Sequence, residues 1–186
     1  MIEAELKARV ADPQSVRALL LAAAGEPEKA QYADTYYDRA GELDKDGREL
    51  RVRTVTTPDG ARTVLTYKGP VLDVATGSKT EAETEVEDRD AAEAILTGLG
   101  YTPTIAFTKD CENYGLTTLS GRAVLATMVT VPELDGTFLE VETMAKDEQD
   151  MHAALDELRT VLLDLEIGPD ALTNELYTDG VAAVRR

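Results

Sequence analysis

The run Ile2-Glu3-Ala4-Glu5-Leu6-Lys7-Ala8-Arg9-Val10 alternates apolar and charged residues without a break. On a pleated strand, a period of two sends Glu3, Glu5, Lys7 and Arg9 to one face and Ile2, Ala4, Leu6, Ala8 and Val10 to the other. Two carboxylates at that spacing can share a hard cation such as Mg²⁺ through oxygen ligands. The ammonium and guanidinium beside them can hold the phosphate oxygens that such a cation bridges. For one strand alone, a solvated face with cross-strand ion pairs is the plainer alternative.

The same arrangement recurs along the chain. Glu49 to Thr56 alternates, with Arg51 and Arg53 on one face and Leu50 and Val52 on the other. Pro58-Asp59-Gly60 turns this strand into a return strand from Arg62 to Lys68, closed by Gly69-Pro70. Lys79 to Val86 sets Lys79, Glu81, Glu83 and Glu85 on one side; Thr104 to Tyr114 does so for Lys109, Cys111 and Asn113; and Phe138 to Glu142 for Glu140 and Glu142. Cationic and anionic strands are thus separate elements. Closing them into a barrel would gather the charged faces in a lumen, with a metal on the carboxylate wall and a polyanion on the Arg/Lys wall. A metal-bound polyphosphate is the ligand that fits both walls.

The apolar outer faces of such a barrel need cover, and three helices are expected to supply it. Asp12 caps a helix opened by Pro13, with Val16, Leu19, Leu20 and Ala23 as its stripe and Gly25 as its stop. Asp90 caps a second helix carrying Ala91, Ala94, Ile95 and Leu99 and ended by Gly100. Asp147 starts a third, with Leu155, Leu158, Leu162 and Leu165 as its stripe and Gly168-Pro169 at its end. Gln31 to Asp38 and Ala123 to Val131 read as further strands, Val71 to Ser78 as a loop, and Ala171 to Val184 as a short helix and tail. No low-complexity linker divides the chain, so residues 1–186 are expected to form a single domain.

Composition narrows the function. The 186 residues are 43% hydrophobic, enough for a packed core, and the net charge of −17 argues against nucleic acid or an anionic membrane as the main partner. Any bound anion must therefore be held by a local group of Lys and Arg. No apolar run has the length of a membrane span, and the N-terminus lacks a signal-peptide pattern. One cysteine, Cys111, forbids an internal disulfide and suits a reducing cytoplasm. One histidine, His152, argues against a His-rich metal site and a Ser-His-Asp triad. Cys111 reads as a small buried filler, and Tyr36 and Tyr37 read as packing residues.

The series of strands resembles the CYTH superfamily, the triphosphate tunnel metalloenzymes. Glu3-Ala4-Glu5-Leu6-Lys7 fits the ExExK motif, and Arg51-Val52-Arg53, Tyr67-Lys68-Gly69, Glu81-Ala82-Glu83, Lys109 and Phe138-Leu139-Glu140-Val141-Glu142 follow in the family's order, from Ile2 to about Tyr177. The resemblance implies an α+β fold: an eight-stranded antiparallel β-barrel with a charged lumen, covered by helices, acting on triphosphates with Mg²⁺ or Mn²⁺. Asp34-Thr35-Tyr36-Tyr37-Asp38 and the compact length look most like the class IV adenylyl cyclase branch. Carried over residue by residue, Glu3, Glu5, Glu140 and Glu142 would bind metal, with Glu81 and Glu83 as further candidates. Lys7, Arg51, Arg53, Lys68 and Lys109 would hold the triphosphate, Lys7, Arg53 and Lys68 in a catalytic role. In a cyclase the ribose 3′-hydroxyl attacks the α-phosphorus. In a hydrolase of tripolyphosphate or thiamine triphosphate, water attacks the terminal phosphorus, and a non-catalytic nucleotide or polyphosphate binder would use the same cradle. Two positions depart from the pattern: Cys111 stands where an Arg is common, and no Asp stands near Val129-Thr130. An exposed apolar strand face could support a homodimer.

Overall fold

The structure is a computed structural model that describes residues 1–73 and 76–186. Its strands are β1 (Ile2–Val10), β2 (Glu28–Asp38), β3 (Glu49–Thr57), β4 (Gly60–Val71), β5 (Lys79–Val86), β6 (Thr102–Thr117), β7 (Ala123–Thr130) and β8 (Thr137–Ala145). Its helices are α1 (Pro13–Ala24), α2 (Arg89–Gly98), α3 (Glu148–Asp164) and α4 (Tyr177–Val184). The strands close into one antiparallel barrel in the order β1-β5-β4-β3-β2-β6-β7-β8, as the charge pattern and the resemblance led us to expect. No described helix is long and apolar enough to cross a membrane.

This barrel is turned inside out relative to an ordinary one. Ile2, Ala4, Leu6, Ala8 and Val10 of β1 are all buried, and they face away from the lumen. They join Val124, Ala126 and Met128 of β7 and Leu139 and Val141 of β8 in the main apolar core. Val16 and Leu20 of α1 and Met151, Ala154, Leu155, Leu158 and Leu162 of α3 close that core from outside. Each large side chain fully buried there contributes roughly 1.5–3 kcal/mol. With the apolar burial moved outside the wall, the alternate positions of the same strands are free to carry charge inside it.

The caps of the first and third helices follow from the sequence. The Asp12 carboxylate accepts the Gln14 and Ser15 amides, and Asp147 accepts the Asp150 amide. The second helix differs from expectation. Its cap is Asp88, which accepts the Ala91 amide at 3.0 Å, and its inward residues are Ala92 and Leu96. Ile95 and Leu99 are 63% and 61% exposed. Arg89 explains the rotation: its guanidinium donates to Thr54 and Thr35 hydroxyls at 2.8 Å each, pinning the helix start to the barrel wall.

Gly69-Pro70 does not end β4, which runs on to Val71 through a bulge between Lys68 and Val71. A Cβ at Gly69 would run into the Thr80 hydroxyl, so only glycine lets β5 approach here. Of the loop expected over Val71 to Ser78, Val71 belongs to β4, and Val74 and Ala75 lie outside the described residues. Strand β2 starts earlier than its alternation signal because Glu28 and Lys29 pair with Asn113 and Glu112, and β6 does so because Thr102 and Pro103 pair with Asp38 and Tyr37. The fourth helix, α4, does not cover the barrel from outside. Tyr177 and Val181 pack on Phe107, Val129, Val131 and Phe138. Phe138 and Val129 share strand parity with Glu140 and Thr127, so this cluster fills part of the lumen.

Candidate active site

The barrel encloses a cavity of about 1000 Å³ lined by charged residues from β1, β3, β4, β5, β6 and β8. Register decides which charges meet. Glu5 sits opposite Glu142, and Lys7 opposite Glu140, across the β1–β8 ladder. Glu3 sits opposite Lys79 in β5, and Lys68 of β4 is flanked by Glu49 of β3 and Glu81 of β5.

Glu3, Glu5 and Glu142 bring one carboxylate oxygen each to within 4.8 Å of one another. The Lys68 ammonium sits among them: it is hydrogen-bonded to Glu3, 3.3 Å from Glu81 and 3.9 Å from Glu5. One cation thus faces four carboxylates. Burial, then the Glu3 and Glu5 carboxylates, push Glu142 up to about 8. Burial also raises Glu3 and Glu5, against the pull of Lys68. The cluster therefore keeps a proton at neutral pH that a divalent cation would replace. Three converging carboxylates short of positive charge are a donor set suited to Mg²⁺ or Mn²⁺.

The opposite part of the lumen is cationic. Arg53 forks onto Asp34 at 2.6 and 2.8 Å, and Asp34 is 1% exposed. Burial alone would raise the Asp34 carboxyl, but the Arg53 guanidinium outweighs it and holds it well below the usual carboxylate range. Arg51 is less occupied: it reaches the Thr66 hydroxyl at 3.4 Å and Glu83 at 4.0 Å. Lys7 forms no ion pair among the described residues, and its ammonium lies 4.7 Å from the Tyr177 ring centre. Lys109 is 3.8 Å from Glu140 and 4.9 Å from the same ring. Burial pushes Glu140 up, yet Lys109 and Lys7 hold it below its ordinary value.

The residues singled out in the sequence divide as follows. Glu3, Glu5, Glu142, Lys7, Arg51, Arg53, Lys68, Lys109, Glu140, Glu81 and Glu83 all line the one cavity. Glu140 is not in the carboxylate trio; it lies 3.8 Å from Lys109. Lys68 lies in the trio and not on the Arg wall. Side-chain exposure rises along β5 from 14% at Glu81 to 38% at Glu83 and 68% at Glu85. Glu81 therefore faces the lumen, Glu83 its edge, and Glu85 the exterior, where it meets Arg62.

Sequence reasoning did not assign four contributors to the site. Asp34, quoted only within a motif, anchors Arg53. Glu49 and Lys79 pair with each other at the cavity wall. Tyr177, at the start of a short C-terminal helix, had no local signal at all. The two departures from the family pattern fall on adjacent ladder positions: Cys111 pairs with Val129, and Val129 with Phe138. Together they form one apolar row beneath Tyr177 and Val181. Cys111 is buried there and burial pushes its thiol up to about 12, so it stays protonated and unreactive.

Among the described residues, three buried side-chain polar atoms lack a hydrogen-bond partner: Arg48 Nε, Arg51 Nε and the Tyr177 hydroxyl. All three residues line this cavity, and all three atoms can donate a hydrogen bond.

Comparison with known proteins agrees with this geometry. A sequence model of the CYTH domain matches residues 1–177. A Methanocaldococcus jannaschii protein named "Putative adenylate cyclase MJ0240" is 26% identical over 179 residues, 96% of this chain and 98% of that protein. The solved structure of the PH1819 protein from Pyrococcus horikoshii OT3 is 25% identical, covers 99% of each chain and has a TM-score of 0.85. The Hippeastrum protein HpAC1, described as a "putative adenylyl cyclase" with "a dominant" triphosphatase activity, shares the fold at 17% identity and a TM-score of 0.66, over 98% of this chain and 96% of its own.

Proposed function

The chain belongs to the CYTH domain family, and from that premise we propose that it is a metal-dependent enzyme acting on a nucleoside triphosphate, most like a class IV adenylyl cyclase. The reaction would convert ATP to cyclic AMP and pyrophosphate. One observation carries the reading: the same cavity holds buried donors with no acceptor and a carboxylate trio short of positive charge. Unpaired buried donors favour an anion, and the trio favours a cation. A polyphosphate bearing a divalent metal satisfies both at once. The M. jannaschii relative, matched nearly end to end, supports the cyclase branch.

In this reading Glu3, Glu5 and Glu142 hold Mg²⁺ or Mn²⁺, with Glu140 at their flank. Bound there, the metal would act as a Lewis acid on phosphoryl oxygen. Lys7, Arg51 and Lys109 take the phosphate oxygens, because they are the lumen cations least engaged by protein carboxylates. Arg53, already held by Asp34, presents the rest of its guanidinium in a fixed orientation. Lys68 keeps the carboxylates in place. A cyclase needs the ribose 3′-hydroxyl in line with the α-phosphorus; pyrophosphate then departs toward the cationic part of the lumen. The lone buried Cys111 suits a reducing cytoplasm as the setting.

A second reading, hydrolysis of the terminal phosphoryl group, is favoured by HpAC1, whose described triphosphatase activity accompanies a cyclase name. Incubation of the pure protein with Mn²⁺ or Mg²⁺ and ATP, tripolyphosphate or thiamine triphosphate separates the readings. Cyclic AMP with pyrophosphate is the expected outcome. Orthophosphate with a diphosphate assigns the hydrolase reaction. Tight binding with no product leaves a binding module and removes the enzymatic reading.

A further inference from the structure

We propose that Tyr177 contacts the substrate, its hydroxyl donating a hydrogen bond to a phosphate oxygen of the polyphosphate held by Lys7 and Lys109. This rests on the function proposed above and adds a residue from the C-terminal segment to that site.

The backbone shows how Tyr177 is delivered. β1 pairs with β8 along its whole length, but with β5 only at Ile2–Thr80 and Glu3–Lys79. The C-terminal strap takes up the β1 edge beyond that point. The Thr173 amide donates to the Lys7 carbonyl at 2.9 Å, Leu172 bridges to Ala8, and Glu175 pairs with Arg9. These contacts fix the strap to the strand that carries Lys7, and α4 begins two residues after Glu175. Tyr177 then turns inward. Its ring meets Phe138 edge-on at 5.1 Å, with the Lys7 and Lys109 ammonium groups 4.7 and 4.9 Å from the ring centre.

Packing explains the ring but not the hydroxyl. Tyr177 is 8% exposed, and its hydroxyl lies beside the Glu140 carboxylate without making a hydrogen bond of ordinary geometry to any described residue. Phenylalanine would fill the same space and keep both ammonium–ring contacts without burying an unsatisfied group. A donor left open on a ring flanked by two ammonium groups, at a cavity also lined by the open donor of Arg51, is placed for an oxygen of the anion those lysines attract.

The test is Tyr177→Phe, read by calorimetric titration with tripolyphosphate in Mg²⁺ and by thermal denaturation of the free protein. A hydrogen bond to a charged group corresponds to roughly 10-fold or more in affinity. Affinity should fall by about that factor, while the thermal midpoint of the free protein stays level or rises. Unchanged affinity in Tyr177→Phe, with normal binding by the wild type, overturns the Tyr177 contact and leaves the rest of the site standing. A fall in affinity accompanied by a lower thermal midpoint would mark a structural role and overturn it as well. Failure of the wild type to bind tripolyphosphate brings down both the contact and the function proposed for the tunnel. Tyr177→Ala, which removes ring and hydroxyl together, is expected to lose both affinity and stability; full affinity in that variant would also refute the contact.

Discussion

Glu5→Gln should abolish turnover, by about 10³-fold or more in kcat/KM, roughly 4 kcal/mol of transition-state stabilisation. The same change should raise the stability of the metal-free protein. Glu5 stands directly opposite Glu142 and within reach of Glu3, so three carboxylates crowd one buried spot. Like charges opposite one another on a ladder are destabilising, and here burial adds to the effect. Glutamine keeps the shape and removes one charge. It also removes an anionic oxygen ligand, which a hard divalent cation needs. Activity and stability thus move in opposite directions, which generic damage to the fold would not produce. Steady-state kinetics with the triphosphate that the wild type turns over, together with calorimetric unfolding, reads both. Retained activity would take Glu5 out of the metal set.

Lys68→Met has the second large effect, on stability. Methionine preserves most of the side-chain volume but leaves Glu3, Glu5, Glu81 and Glu142 with no counterion in their midst. Removing one partner of a buried ionic group costs about 3–5 kcal/mol, or roughly 10 °C in a chain of this size. The loss should depend on pH. Glu142 titrates at about 8 in the folded protein against an ordinary 4.5. Between those values the folded protein holds a proton that the unfolded chain has released, so stability falls as pH rises through this window. Without Lys68 the carboxylates move further up and the decline steepens. Thermal denaturation of the variant should therefore show a larger deficit at pH 8 than at pH 6, and saturating Mn²⁺ should restore most of it. A deficit indifferent to both pH and Mn²⁺ would mean that Lys68 serves packing alone.

The strand faces were legible because a period of two writes them directly into the chain. Glu3, Glu5 and Lys7, Arg51 and Arg53, and Glu140 and Glu142 each follow alternation, and the lumen needs nothing more local than that. What the sequence does not write is register between strands far apart. It could not foretell that Lys68 joins the carboxylates or that Glu140 pairs with Lys109, since both depend on ladder positions set by the closed barrel. Tyr177 was hidden for the same reason: its contact with Lys7 spans nearly the whole chain. On α2 the local pattern misled, because Arg89 bonds to the barrel wall and turns Ala92 and Leu96 inward in place of Ile95. Gly69-Pro70 reads as a stop by composition, yet the close approach of Thr80 makes it a bulge within the strand.

Diffraction from crystals grown with Mn²⁺ and tripolyphosphate, recorded at the manganese absorption edge, tests the tunnel most directly. The expected result is an anomalous peak among the carboxylates of Glu3, Glu5 and Glu142, with phosphate density running from it toward Lys7, Arg51 and Lys109. Manganese bound only on the outside of the barrel, or phosphate density away from the lumen, would contradict it.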